Sequence, residues 1–216
     1  FDSENDVIFF CPTSVLNDTH KIADRHLHYK NIIEMNLLNK SKKNELFLRY
    51  KFSTPCSKII KNKFIQKYRL NFDEVLYGND VMFNTKLGHF MQNFEVSSDV
   101  IYCITRRYGS LTSDIRENVF NERFDRYLSY YMFLNKILPK KELDILRLDY
   151  ALLSLLKTTL FRHGFKNFLR LISILNKKNI KWFRIKYLSP FMMVKMILHQ
   201  FRNHIDSKKF NNYYLK

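Results

Sequence analysis

Beyond Ser113 the large apolar residues of this chain recur at steps of three and four: Val119, Phe120, Phe124, Tyr127, Leu128, Tyr131 and Met132. That spacing is the period of a helix with one buried face. Before Ser113 the pattern differs. Apolar residues come in short runs, Val7–Cys11 closed by Pro12 and Val100–Ile104 ahead of a loop at Arg106-Arg107-Tyr108-Gly109-Ser110. Short apolar runs of this kind read as buried strands. The change of period predicts a mixed α/β region over residues 1–112 and an all-helical region over 113–216.

Finer expectations follow from local signals. Residues 13–30 are polar and read as irregular, and Asn31–Asn39 reads as a helix that Ser41-Lys42-Lys43-Asn44 interrupts. Glu45–Phe52 alternates loosely, as a strand or loop edge would. Thr54–Lys58 is a turn, Lys61–Tyr68 a short helix, and Gly78-Asn79-Asp80 the mouth of an amphipathic helix carrying Val81, Phe83, Leu87 and Phe90. In the second region Pro139 ends one helix. Leu143–Phe161 is a second, with Gly164 as its C′ residue. Phe165–Leu175 is a third, and Pro190 opens a fourth.

Composition removes several function classes. With 216 residues and 46% hydrophobic residues the chain has enough apolar material for a packed core. Cys11, Cys56 and Cys103 are widely spaced and odd in number, which argues against a disulfide framework or a zinc site and for a reducing compartment. His26 and His28 stand two apart, a spacing that splays the two side chains on a helix. No apolar run reaches the roughly 18 to 20 residues that cross a bilayer. The opening Phe1-Asp2-Ser3-Glu4-Asn5-Asp6 lacks the basic start of a signal peptide and leads directly into a strand, as if cut from a longer chain.

Asp80 poses the functional question. An acidic residue at a helix mouth ordinarily caps it, accepting backbone N–H bonds at the positive end of the dipole. Its context adds a second reading. The motifs run Thr54-Pro55-Cys56-Ser57-Lys58, a basic helix, Leu70-Asn71-Phe72-Asp73-Glu74, Asn79-Asp80-Val81-Met82-Phe83, then Ile101-Tyr102-Cys103-Ile104-Thr105-Arg106-Arg107-Tyr108-Gly109-Ser110. In this order they resemble the C-terminal half of the catalytic domain of family-2 glycosyltransferases of the bacterial polysaccharide type. The resemblance covers roughly residues 5–112. Cys56 stands where that family usually has an aromatic residue, and Asn79 where it usually has Glu.

The resemblance implies a partial GT-A fold, Rossmann-like, with a sugar moved from a nucleotide-sugar donor to a saccharide or lipid-linked saccharide acceptor. It implies Asp80 as general base, since the attacking hydroxyl must lose its proton to a nearby carboxylate. It implies a donor-diphosphate role for Arg107, with Arg106, Ser110 and Lys58 nearby, because guanidinium and backbone N–H groups stabilise the leaving diphosphate. Asn79 and Tyr77 fall on the acceptor side, although Tyr77 and Phe83 also fit plain packing. The family's divalent metal, Mn or Mg, sits on an Asp-x-Asp motif in the N-terminal half. No Asp-x-Asp occurs in these 216 residues. The expectation is therefore the acceptor-side half of a longer enzyme, without a metal site of its own.

Charge points to a second property. Of the net +17, residues 137–216 carry +13. Basic residues beside Leu, Phe, Met and Trp suit a peripheral attachment to an anionic membrane, on the inner face if the chain is cytoplasmic. Lys177, Lys178, Lys181, Arg184 and Lys186 around Trp182 and Phe183 mark the expected contact. Nucleic acid is disfavoured, because no zinc-finger, RNP or KH signature is present. The competing reading is a non-catalytic helical module that binds a partner or membrane through this basic region, or a bundle with a solvated basic face.

Overall fold

The computed structural model describes residues 4–107, 114 and 116–183. It is a mixed α/β structure divided into two compact units, Phe1–Arg147 and Leu148–Lys216. Strand β1, Val7–Phe9, is buried at all three positions, the pattern of a central strand covered on both faces. Strand β2 spans Thr13–Leu16, and helices α1 and α2 follow at Leu27–Leu38 and Lys42–Lys51. Strand β3 is Lys58–Ile60, helix α3 is Asn62–Tyr68 and helix α4 is Val81–Phe90. Strands β4 and β5 are Phe94–Val96 and Cys103–Arg106. Beyond them the described residues form helices α5 at Glu117–Ile137, α6 at Lys140–Leu146 and α7 at Leu148–Lys177.

β1 is central in a three-stranded sheet of order β3-β1-β4, antiparallel to β3 and parallel to β4. β2 and β5 make a separate parallel pair, with Thr13 opposite Cys103 and Leu16 opposite Arg106. The core of the first unit gathers Phe9, Ile33, Leu48, Phe52, Phe83 and Leu87 on the helix-facing side of β1 and between the helices.

Four sequence expectations are corrected. Glu45–Phe52 is the body of helix α2, not a strand or loop edge. Its buried residues Asn44, Leu46, Leu48 and Tyr50 alternate because α2 is packed by α1, α4 and α6, so burial spreads around the helix and imitates a strand's period. Ser41-Lys42-Lys43-Asn44 is a helix start. Ser41 Oγ accepts from the Asn44 amide at 3.3 Å, while Asn44 Nδ2 donates to the carbonyls of Met35 and Asn39, 2.8 Å each, closing the end of α1. Residues 13–16 form a strand, and the strand expected at Val100–Ile104 lies at Cys103–Arg106. Both belong to one pair whose members are far apart in sequence.

The helical expectations hold with shifted ends. Pro139 is the N-cap of α6. Arg147, at φ 51°, separates α6 from α7, so the second helix begins at Leu148. Gly164 breaks α7 with φ 85° and ψ 169°, which a non-glycine residue rarely adopts. A fourth helix at Pro190 lies outside the described residues. The sequence places the regional boundary near 112, whereas the compact unit extends to Arg147, because α5 packs on α4 and α6 on α2. Tyr130 of α5 donates its hydroxyl to the Tyr50 carbonyl at 2.9 Å, and Arg126 pairs with Asp73 at 3.1 Å. Among the described residues no helix is long and apolar enough to cross a membrane.

Helix α4 is held by one close approach. A Cβ on Gly88 would stand 2.0 Å from the Arg49 carbonyl oxygen of α2. Arg49 in turn donates to the carbonyls of Gly88 and Met91, each at 2.8 Å, so its cation covers the negative end of α4. An alanine within a helix usually stabilises it by about 1 kcal/mol over glycine. At residue 88 the sign should reverse: Gly88→Ala should cost about 1–3 kcal/mol through overpacking. A lower urea midpoint, followed by circular dichroism, is the expected result; a midpoint at or above that of the natural protein would show that α2 and α4 are not so close.

Candidate functional site

The head of α4, the turn before β3 and the residues before β5 meet around Lys58. β3 pairs with β1, and this places the Lys58 side chain beneath the start of α4. Its Nζ donates to the Asn84 Oδ1 at 2.6 Å and to the Phe52 carbonyl at 2.9 Å. The same nitrogen lies 5.3 Å from the centre of the Phe9 ring and 5.1 Å from that of Phe52. Those rings exclude water, and burial pushes the lysine down to about 7, opposed by the charges of Asp80 and Cys56. Aromatic faces partly compensate the lost hydration of the cation.

Asp80 is the N-cap residue of α4 by position, but its side chain makes no capping hydrogen bond. Its backbone is already helical, at φ −88° and ψ −12°, so the carboxylate is not turned toward the next amides. The backbone carbonyl of Asp80 accepts from Asn84 Nδ2 at 2.9 Å. Burial raises the carboxyl above its ordinary value, opposed by its own backbone amide and by Lys58. A half-buried carboxylate freed from capping and set against a desolvated lysine can exchange a proton nearer neutrality than a surface aspartate.

Asn84, buried one turn beyond Asp80, was not singled out in the sequence. Its Oδ1 receives Lys58 and its Nδ2 reaches both Asp80 O and Ser53 O, the latter at 2.7 Å. The i+4 spacing from Asp80 was the only available signal. Behind Asn84 lies a cavity of about 270 Å³, bordered by Lys51, Thr85, Tyr127 and Tyr130. Lys51 is pushed down to about 8 by burial, and no sequence pattern marks it.

The remaining expected residues fall as follows. Tyr102, in the lead to β5, hydrogen-bonds Cys56, which pushes the phenol up; the turn at Thr54–Lys58 and the β5 segment are therefore neighbours. Arg106, within β5, forms an ion pair with Asp24. Arg107 follows the strand and is exposed. Ser110 lies outside the described residues. Asn79 is exposed, and its carbonyl accepts from the Asp73 amide at 3.0 Å. Tyr77 is buried, with its hydroxyl donating to Asp114 Oδ2 at 3.3 Å and Arg123 over its ring at 5.7 Å. Phe83 is buried and stacks on Phe72 at 4.3 Å, so the Asn71–Glu74 segment packs on α4.

Among the described residues no three His, Cys, Asp or Glu side chains converge as a metal site requires. The chain matches no protein-family model, no curated protein and no solved structure.

The Lys58 shift has a definite sign. The folded state holds this lysine near 7 and the unfolded chain near 10.5, so between those values the unfolded chain binds more protons and stability rises with pH. The raised Asp80 carboxyl acts in the opposite sense: its stabilising contribution is present in acid and is lost as pH rises through its folded value. Lys58→Met removes the first effect and, by taking away a cation that opposes burial, raises the Asp80 carboxyl further. The stability difference between natural protein and variant, read from urea midpoints, should grow in favour of the natural protein between about pH 7 and pH 9. A difference that stays constant over that range would mean Lys58 titrates like a surface lysine.

Proposed function

We propose that residues 1–112 form the acceptor-side half of a GT-A-type glycosyltransferase resembling family 2, with Asp80 as general base. The observation that carries the reading is convergence. Motifs apart in sequence are neighbours in the fold: Lys58 on Asn84 one turn after Asp80, Tyr102 on Cys56, and Phe72 on Phe83. A second support is that the Asp80 carboxylate is not used as a cap.

In this reading the acceptor hydroxyl gives its proton to Asp80 as its oxygen bonds to the anomeric carbon of the donor. The bond from that carbon to the diphosphate breaks, and the nucleoside diphosphate leaves with the electron pair. Lys58 lies close enough to favour the ionised carboxylate despite burial, and Asn84 fixes the amine in place. Arg107, exposed after β5, supplies cationic stabilisation to the departing diphosphate, with Ser110, three residues on in the sequence, as a further contact. Arg106 has a different task, since Asp24 holds it against the β2–β5 pair. The donor is a nucleotide-sugar and the acceptor a saccharide, free or lipid-linked. A divalent metal, Mn or Mg, would be held by an Asp-x-Asp motif that these 216 residues do not contain.

Asp80→Asn tests the assignment in the protein as the cell makes it. Release of nucleoside diphosphate from a panel of uridine and guanosine diphosphate sugars should fall by on the order of 10² to 10⁴. Thermal stability should change little, because the carboxylate makes no cap. Near-normal turnover would reduce Asp80 to a structural residue. Calorimetry of residues 1–216 with the same sugars should show no micromolar binding; such binding would place the donor site within these residues.

A further inference from the structure

From Tyr150 to Phe183 the chain contains no Asp or Glu, while Lys157, Arg162, Lys166, Arg170 and the Lys177-Lys178 pair are spread along α7 and its end. The break at Gly164 is itself exposed, with open space where a Cβ would stand. The His163 carbonyl beside it accepts from Asn167 Nδ2 at 2.9 Å, so the break costs no unsatisfied carbonyl there. Around the break, large apolar side chains face outward: Phe161 is 76% exposed, Phe165 62% and Leu169 48%. Exposed cations alternate with them at Arg162, Lys166 and Arg170. Three large apolar groups within nine residues, unmixed with acid and flanked by cations, are costly in water and need an explanation.

We propose that the segment around Gly164 is a peripheral anchor that seats on an anionic phospholipid bilayer. The phenyl rings of Phe161 and Phe165 enter the boundary between headgroups and acyl chains, and Arg162, Lys166 and Arg170 meet lipid phosphates. Cations at every fourth position, Arg162, Lys166 and Arg170, keep the segment on the surface rather than across the bilayer. This inference is independent of the glycosyltransferase reading.

The contact in this proposal lies at Phe161 and Phe165 and not at Trp182, the place expected from the sequence. Trp182 Nε1 donates to Asn176 Oδ1 at 3.2 Å, and its ring lines an apolar cleft with Leu153, Leu156, Leu160 and Phe168. It is half-buried inside the second unit, while Phe161 and Phe165 are open. A polyanion such as RNA would pair with the same cations but gains little from outward aliphatic and phenyl groups without base-reading residues around them.

The test is co-sedimentation of the full chain with phosphatidylcholine vesicles, with and without phosphatidylglycerol. Binding should require phosphatidylglycerol. Arg162→Gln and Lys166→Gln should each weaken it about fivefold, the equivalent of about 1 kcal/mol per charge. The Phe161→Ser/Phe165→Ser double variant should weaken it roughly tenfold or more while keeping the natural melting temperature. Equal binding to pure phosphatidylcholine would overturn the proposal, as would vesicle binding unchanged in the Phe variant. Tight RNA binding indifferent to the Phe substitutions, without vesicle binding, would make the face a polyanion site instead. A lowered melting temperature in the double variant would show that the rings pack within the chain, and would equally overturn it.

Discussion

A lysine amine seated between two phenyl rings sets the geometry of the first unit. Lys58 reaches Phe9 on β1, the Phe52 carbonyl at the end of α2 and the Asn84 side chain on α4. Burying an amine without partners would be prohibitive. Here two acceptors and two aromatic faces meet it, and its proton affinity drops until the neutral form is accessible near pH 7. A neutral amine still has two N–H groups, one for each acceptor, so the network survives deprotonation.

This arrangement ties the sheet to the helix that carries Asp80. The pairing of β3 with β1 fixes where Lys58 begins, and the contact of Gly88 with the α2 backbone fixes how deeply α4 sits. Between these anchors the head of α4 has little freedom. The Asp80 carboxylate is left out of the helix cap and acquires a raised proton affinity through burial. Its nearest cationic influence is a lysine whose own charge is labile, so the two groups adjust each other's protonation.

Much of this was legible in the sequence, but unevenly. Val7–Cys11 reads as a central strand because every position is apolar, although the strand itself ends at Phe9, and Gly164 reads as a break because little else tolerates φ 85°. α2 was unreadable as a helix, since contacts on three sides erase the amphipathic stripe on which the period rests. The β2–β5 pair was hidden because parallel pairing joins residues ninety apart through no local signal. At the site, Asp80 and Lys58 stand out through their motifs. Asn84, which binds both, resembles any polar helix residue until the fold turns it inward. The turn of the Trp182 indole to Asn176 likewise has no local sequence signal.

The claim at the centre of this account is that Lys58 and Asp80 form one coupled, desolvated pair. ¹³C NMR titration of the Lys58 Cε, in the natural protein and in Asp80→Asn, measures it directly. The account predicts a midpoint about 7 in the natural protein and a lower one in the variant, because the carboxylate that favours the ammonium has been removed. A midpoint near 10.5, or one that Asp80→Asn leaves unmoved, would contradict it.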